Sequence, residues 1–237
     1  MGAGVVVLRE GFEASLVVGI VLAFLDRTDR RDGFAVVWAG VGAALALSLA
    51  VGVGLFAAGA ELEGRSEAIF EGVVMLCAAG LLTWMIFWMR NRARTLRAEI
   101  EDRTQAALDA GSAVGLALVV FLGVAREGVE TAVFLFSSVE GSNGFVSFVG
   151  AIIGGVLAVA LGYLFYRGSH RLNLRTFFTA TSVLLLLFAG YLLAMGLHEL
   201  EEAGVIPESE ALLVAAFVAL AGPTLYFFFR TPKPATA

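Results

Sequence analysis

Apolar residues run along this chain in seven long stretches, separated by short polar or charged breaks. The stretches lie near 4–25, 34–59, 67–89, 112–138, 144–166, 176–198 and 209–229. Each reaches the roughly 20 residues that an α-helix needs to cross a bilayer. The breaks carry ordinary stop signals. Asp26–Gly33 is a charged turn, Glu61–Glu67 is acidic around Gly64, and Gly141–Gly144 is a tight turn. Arg167–Arg175 is basic, and Glu199–Glu210 is acidic with Pro207. The one long polar stretch, Arg90–Gly111, is expected to be a helical surface loop, and the tail 231–237 is expected to fray. The first stretch has no basic leader, and Arg9, Glu10 and Glu13 interrupt it, so it reads as a spanning helix rather than a signal peptide.

The expected fold is an all-α integral membrane protein with one transmembrane domain over 1–230. Composition agrees: 59% of the 237 residues are apolar and mean hydropathy is +0.88. The 28 glycines lie mostly within the apolar stretches, where small residues let membrane helices approach closely, as at Gly150 and Gly154. Cys77 is the one cysteine, so no disulfide framework exists.

Charge sets the orientation. Of the 16 Lys and Arg, all but three fall on one side of the seven-helix layout. They are Arg27, Arg30 and Arg31, then Arg90, Arg92, Arg94, Arg97 and Arg103, then Arg167, Arg171 and Arg175, with Arg230 and Lys233 in the tail. Arg65 stands alone on the other side, and Arg9 and Arg126 lie within the apolar stretches. Positive charge stays in the cytoplasm, so the N-terminus is expected outside and the C-terminus inside, in a plasma (inner) membrane. The outer loops are acidic, which would gather cations at an entrance. The same bias follows simply from keeping positive charge inside.

The chemistry lies in a pentapeptide that occurs twice. Arg9-Glu10-Gly11-Phe12-Glu13 sits in the first stretch and Arg126-Glu127-Gly128-Val129-Glu130 in the fourth. A charge near the bilayer centre costs on the order of 3 kcal/mol or more, and each copy holds three ionisable groups. Three helices separate the copies, so the two motif helices run in opposite directions. The expected layout is therefore two inverted three-helix repeats, about 1–89 and 112–198, followed by a seventh helix at about 209–229. Ala79-Gly80-Leu81-Leu82 and Ala189-Gly190-Tyr191-Leu192 echo one another in the third and sixth stretches. Inverted repeats place transporter sites near the midplane, at the repeat interface.

Glu10 and Glu13 are i, i+3 and share a helix face, as do Glu127 and Glu130. Two such faces meeting would build a four-carboxylate cage, with Arg9 and Arg126 each able to pair at i+4. An all-oxygen donor set favours a hard cation. Four Glu and two Arg sum to a formal −2, and Glu71 as a further ligand would bring −3. The alternative is that each pentapeptide is an internal ion pair that locks the bundle.

These residues resemble the oxidase-dependent iron permease family (FTR / EfeU / OfeT type), whose hallmark is Arg-Glu-x-x-Glu in the first and fourth spanning helices. Glu71-Gly72, Leu82-Thr83-Trp84-Met85 and His198-Glu199-Leu200-Glu201-Glu202 extend the likeness over most of the chain. The resemblance implies import of iron, with ferric ion the expected form. It implies metal ligands at Glu10, Glu13, Glu127, Glu130 and Glu71, with Arg9 and Arg126 in support. The partners it implies are the iron ion, the lipid bilayer and an extracytoplasmic oxidase or iron-binding protein. No nucleic acid, no cofactor beyond the transported iron and no enzymatic activity are expected.

His198, Glu199, Glu201 and Glu202 form a candidate outer entry, against the simpler reading of a solvated helix end. Trp84, Trp88, Tyr163 and Tyr166 read as an aromatic belt, the Phe run 227–229 as a lipid anchor, and His170 as interfacial. Thr179, Thr181 and Ser182 are a polar patch that fits either a pathway or helix–helix hydrogen bonds. Two rival functions remain: a carrier of another cation, and an intramembrane carboxylate metalloenzyme. The Glu-x-x-His pattern usual in carboxylate-bridged sites is absent from both motifs.

Overall fold

A computed structural model describes residues 2–92, 95–140, 144–167, 174–207, 209, 213–215, 217, 218, 220 and 222. Among the described residues the chain is helical, with no strand. The helices are α1 (Gly2–Arg27), α2 (Phe34–Ala60), α3 (Arg65–Arg92), α4 (Leu96–Asp109), α5 (Ala113–Glu140), α6 (Gly144–Tyr166) and α7 (Leu174–Glu202). A single 3-10 turn, Arg31–Gly33, precedes α2. The first six apolar stretches thus fall on helices, and the polar stretch before Gly111 carries the helix α4, as expected. Most of 209–229 lies outside the described residues. So do the turn at 141–143, Arg94, 168–173 with His170 and Arg171, Glu208, Glu210, Phe227–Phe229, and 223–237 with Arg230 and Lys233.

Among the described residues, four helical segments are long and apolar enough to cross a membrane: Arg31–Ala60, Arg65–Trp88, Gly144–Tyr166 and Phe177–Glu202. Helices α1 and α5 are as long, at 26 and 28 residues. What sets them apart is the three ionisable residues near the middle of each. Large apolar side chains cover the outside of the bundle, among them Leu45, Leu49 and Val53 on α2 and Phe148, Ile152 and Val156 on α6. An apolar exterior of this extent is what a lipid-facing surface requires. The chain is a multi-pass membrane protein.

Helix α1 is central. Its first half packs with α3 and α7 in one apolar cluster around Phe12, Leu16, Leu82, Phe134 and Leu185. Its second half packs with α2, α4 and α5 in another, around Val21, Leu25, Val37 and Val120. Consecutive helices α1 and α2 scarcely touch, and neither do α2 and α3; the main pairs are α1 with α6, α2 with α5, and α3 with α7.

Small residues decide those pairings. In α6, Gly150, Gly154, Ala158 and Gly162 recur every fourth position, and all four meet α1. Gly150 and Gly154 abut Gly4, Ala158 abuts Gly11, and Gly162 abuts Ser15. In α2, Gly40, Ala44, Ser48 and Gly52 keep the same spacing. Gly40 meets the Ala117 carbonyl of α5, Ser48 meets Gly128, and Gly52 meets Ala132. With no hydrophobic drive between helices in lipid, close backbone packing of this kind holds the bundle together.

A methyl group at Gly40 would sit 2.7 Å from the Ala117 carbonyl oxygen, while one at Gly42 meets nothing within 4 Å. Gly40→Ala is therefore expected to lower stability by about 1–3 kcal/mol through overpacking, and Gly42→Ala to be neutral. Thermal unfolding of both variants in detergent checks this; equal midpoints would mean that the α2–α5 contact yields freely.

Helix α4 closes one end of the bundle. Glu101 on α4 accepts hydrogen bonds from Arg27 at the end of α1 (2.7 Å) and from Arg97 (3.0 Å). Partial burial pushes the Glu101 carboxyl up, but the hydrogen bonds and charges of Arg97 and Arg27 outweigh it and hold the group below its ordinary value. The Arg27 link fastens α4 across the mouth of the space between α1 and α5. Gly111 then ends α4 with a left-handed turn (φ 59°), where glycine carries no steric cost.

Candidate metal centre

Helices α1 and α5 cross in opposite directions: Val17 meets Gly123, while Glu10, farther back along α1, meets Glu130. The i, i+3 spacing turns both carboxylates of each motif toward that crossing. Carboxylate oxygens of Glu10, Glu127 and Glu130 all lie within 4.8 Å of one another. Oxygens that share one hard cation at about 2.1 Å bond lengths stand roughly 3–4 Å apart. The group would close on an ion with side-chain shifts well under an ångström each.

Each arginine pairs with both carboxylates of its own motif. Arg9 lies 3.6 Å from Glu10 (Nη1–Oε1) and 3.4 Å from Glu13 (Nε–Oε1). Arg126 donates from Nε to Glu130 Oε1 at 2.9 Å and lies 3.8 Å from Glu127. Arg9, Glu10, Glu13 and Glu127 are buried. Nine buried nitrogen and oxygen atoms of these six side chains have no hydrogen-bond partner among the described residues. Buried polar atoms are nearly always bonded in folded proteins, so this concentration of exceptions makes the cluster a candidate site.

Two spaces reach the cage. A cavity of about 140 Å³ opens toward the α4 end, with Glu13 and Glu127 at its inner limit and Trp88, Glu99, Arg103 and Arg126 along its wall. A groove of about 800 Å³ between α1, α2 and α5 is almost wholly apolar, and Glu10 and Glu127 reach it. The Arg9 and Glu10 side chains have no exposed surface.

The remaining sequence candidates lie elsewhere. Glu71 stands outside the three-carboxylate group; its neighbour Gly72 packs against Gly196, Glu199 and Leu200 near the end of α7. At that end His198 lies 3.9 Å from Glu201. Glu201 is buried and accepts the Ser209 backbone N–H at 3.1 Å, so it fastens the segment after α7. Glu202 and His198 are exposed and Glu199 is partly exposed. Thr181 donates to the Phe177 carbonyl of its own helix at 3.0 Å; Ser182 is buried and Thr179 exposed.

Sequence reasoning missed Trp88. It reads as a membrane-belt residue, yet its ring lies under the Arg126 guanidinium, 4.3 Å from the centroid. Nothing in the order of residues links positions 88 and 126.

With this geometry in place, the comparisons with known proteins are specific. The family model for the iron permease FTR1 family matches residues 1–214. A protein named ferrous iron permease EfeU, from Escherichia coli O6:H1, is 40% identical over 202 residues, covering 84% of this chain and 73% of that protein. The protein of the same name from Yersinia pestis is 36% identical over 202 residues, covering 84% and 72%. No solved structure matches.

Proposed function

We propose an iron importer, and the premise is membership: the chain belongs to the iron permease FTR1 family, a family of permeases and not of enzymes. Iron is taken as the ion carried, and the path runs through the cage of Glu10, Glu13, Glu127 and Glu130 at the bilayer midplane. The observation that carries this reading is the convergence of Glu10, Glu127 and Glu130 to within 4.8 Å from two separate motifs. Arg9 and Arg126 balance part of the charge and fix carboxylate rotamers. Glu71 and the His198–Glu202 end form an outer station from which ions reach the cage.

The inverted-repeat layout has support in the packing. Glu127 follows Glu10 by 117 positions, and Ala132 follows Ser15 by the same step. Gly150, Gly154, Ala158 and Gly162 follow Gly40, Ala44, Ser48 and Gly52 by 110. Exchanging the halves turns the Gly11–Ala158 contact into Gly128–Ser48, and Ser15–Gly162 into Ala132–Gly52, all of which occur. In this reading the repeats rock about the fixed cage, as in other inverted-repeat carriers. The α4 end faces the cytoplasm, because the basic loops lie there. The cavity on that side then makes this an inward-open arrangement.

The valence of the ion is the finer question. A hard, all-oxygen donor set suits ferric ion, whereas the relatives are named for ferrous iron. A ferric preference requires an extracytoplasmic oxidase or an iron-binding partner, and a ferrous preference does not.

Purified protein in liposomes, offered ferric and ferrous ion separately, tests both points. Wild type is expected to accumulate iron, and the Glu13→Ala, Glu130→Ala double variant to stay at the level of empty liposomes. Uptake by both proteins alike would remove the cage from the path. Uptake of another divalent ion in place of iron would support the rival carrier.

A further inference from the structure

The two motif arginines occupy equivalent sequence positions but are held differently. Arg9 is enclosed, while the Arg126 side chain keeps 33% of its surface exposed. Arg126 lies on the wall of the α4-end cavity, between its Glu130 hydrogen bond and the face of Trp88. Trp88 is itself stacked on Trp84, with centroids 5.8 Å apart. Glu13 and Glu127 line the same cavity, and Glu127 belongs to the three-carboxylate group.

We propose that Trp88 is a positioning residue: it holds the Arg126 guanidinium against the cavity wall, so that this cation does not compete with iron for Glu13 and Glu127. The inference rests on the cage reading above and adds a residue that the motifs do not contain. The chemistry is direct. Arg126 Nε is already 3.8 Å from Glu127, while its hydrogen bond to Glu130 and its contact with the Trp88 ring hold the group on the wall. An aromatic face attracts a guanidinium through its quadrupole. Without that face, the long side chain is free to turn into the cavity and pair with Glu127 and Glu13. A fixed guanidinium shapes the cage; a mobile one occupies it.

The test is equilibrium binding of ferrous and ferric ion to the purified full-length protein in detergent. Trp88→Ala is expected to weaken binding by about 2-fold to 30-fold, the range of a cation–π contact. Trp88→Phe, which keeps a face, should recover most of the affinity. In an Arg126→Met background, Trp88→Ala should change affinity by less than about 2-fold, because the competing cation is gone. A loss from Trp88→Ala that persists undiminished in that background overturns the proposal, since it would mean the ring acts by packing alone. So does a Trp88→Phe variant as weak as Trp88→Ala, or a Trp88→Ala variant as tight as wild type. If wild type itself binds neither ion, the cage reading falls first and this inference with it.

Discussion

Glutamine at both Glu10 and Glu127 is expected to abolish iron uptake. The two side chains come from different helices, both are buried, and both belong to the group whose oxygens lie within 4.8 Å of one another. Glutamine keeps the shape and removes the charge. Each charge-assisted ligand contributes roughly 1.5–3 kcal/mol, so losing two should slow uptake on the order of 100-fold or more. Each single substitution should already cost most of the activity, because ligands of one ion act as a unit. Stability should move little, or rise, since two like charges facing each other are gone. Arg9 keeps Glu13 as its i+4 partner and Arg126 keeps Glu130. Initial rates of iron entry into liposomes measure the first effect and thermal unfolding the second. Uptake within about threefold of wild type, in a variant that melts normally, would place the ion path elsewhere.

The parts legible in the sequence are those that depend on local periodicity. Hydropathy places α1, α2, α3, α5, α6 and α7, because a spanning helix must be apolar over its length. The i, i+3 spacing aims Glu10 with Glu13 and Glu127 with Glu130, because helix geometry fixes which residues share a face. Long-range partnership is a different matter. That α1 lies on α6 and not on α2 follows from which small-residue stripe meets which. The stripes at Gly40–Gly52 and Gly150–Gly162 show their shared spacing only when laid over one another. Glu201 reads as part of an acidic rim, yet its carboxylate holds the Ser209 N–H. Trp88 has a sufficient explanation as a belt residue, and only the fold brings it over Arg126. The asymmetry between Arg9 and Arg126 is invisible for the same reason: the pentapeptides are alike, but Trp88 of α3 and the cavity beside α4 meet the second copy's arginine.

That asymmetry makes Arg9→Met the most damaging single change expected in either motif. Arg9 has no exposed side-chain surface and lies between Glu10 and Glu13. Methionine keeps much of the apolar stem, so the change isolates the loss of charge. Removing one partner of a buried ionic group costs about 3–5 kcal/mol, because what remains is an uncompensated buried charge. At Arg126 the same substitution leaves Glu127, which lines the α4-end cavity, and Glu130, whose side chain keeps 14% of its surface exposed. Solvent there screens part of the loss, and about 1–2 kcal/mol is expected. Unfolding midpoints of Arg9→Met and Arg126→Met, compared in one detergent, measure the difference. Iron supplies a second readout. An ion among the same carboxylates replaces the missing positive charge, and a ligand at about 100 times its Kd stabilises by about 2.7 kcal/mol. Added iron should therefore raise the midpoint of Arg9→Met more than that of wild type. Equal losses at the two arginines, with no greater response to iron at Arg9→Met, would mean that both copies sit in equivalent surroundings and that water reaches Arg9 as it does Arg126.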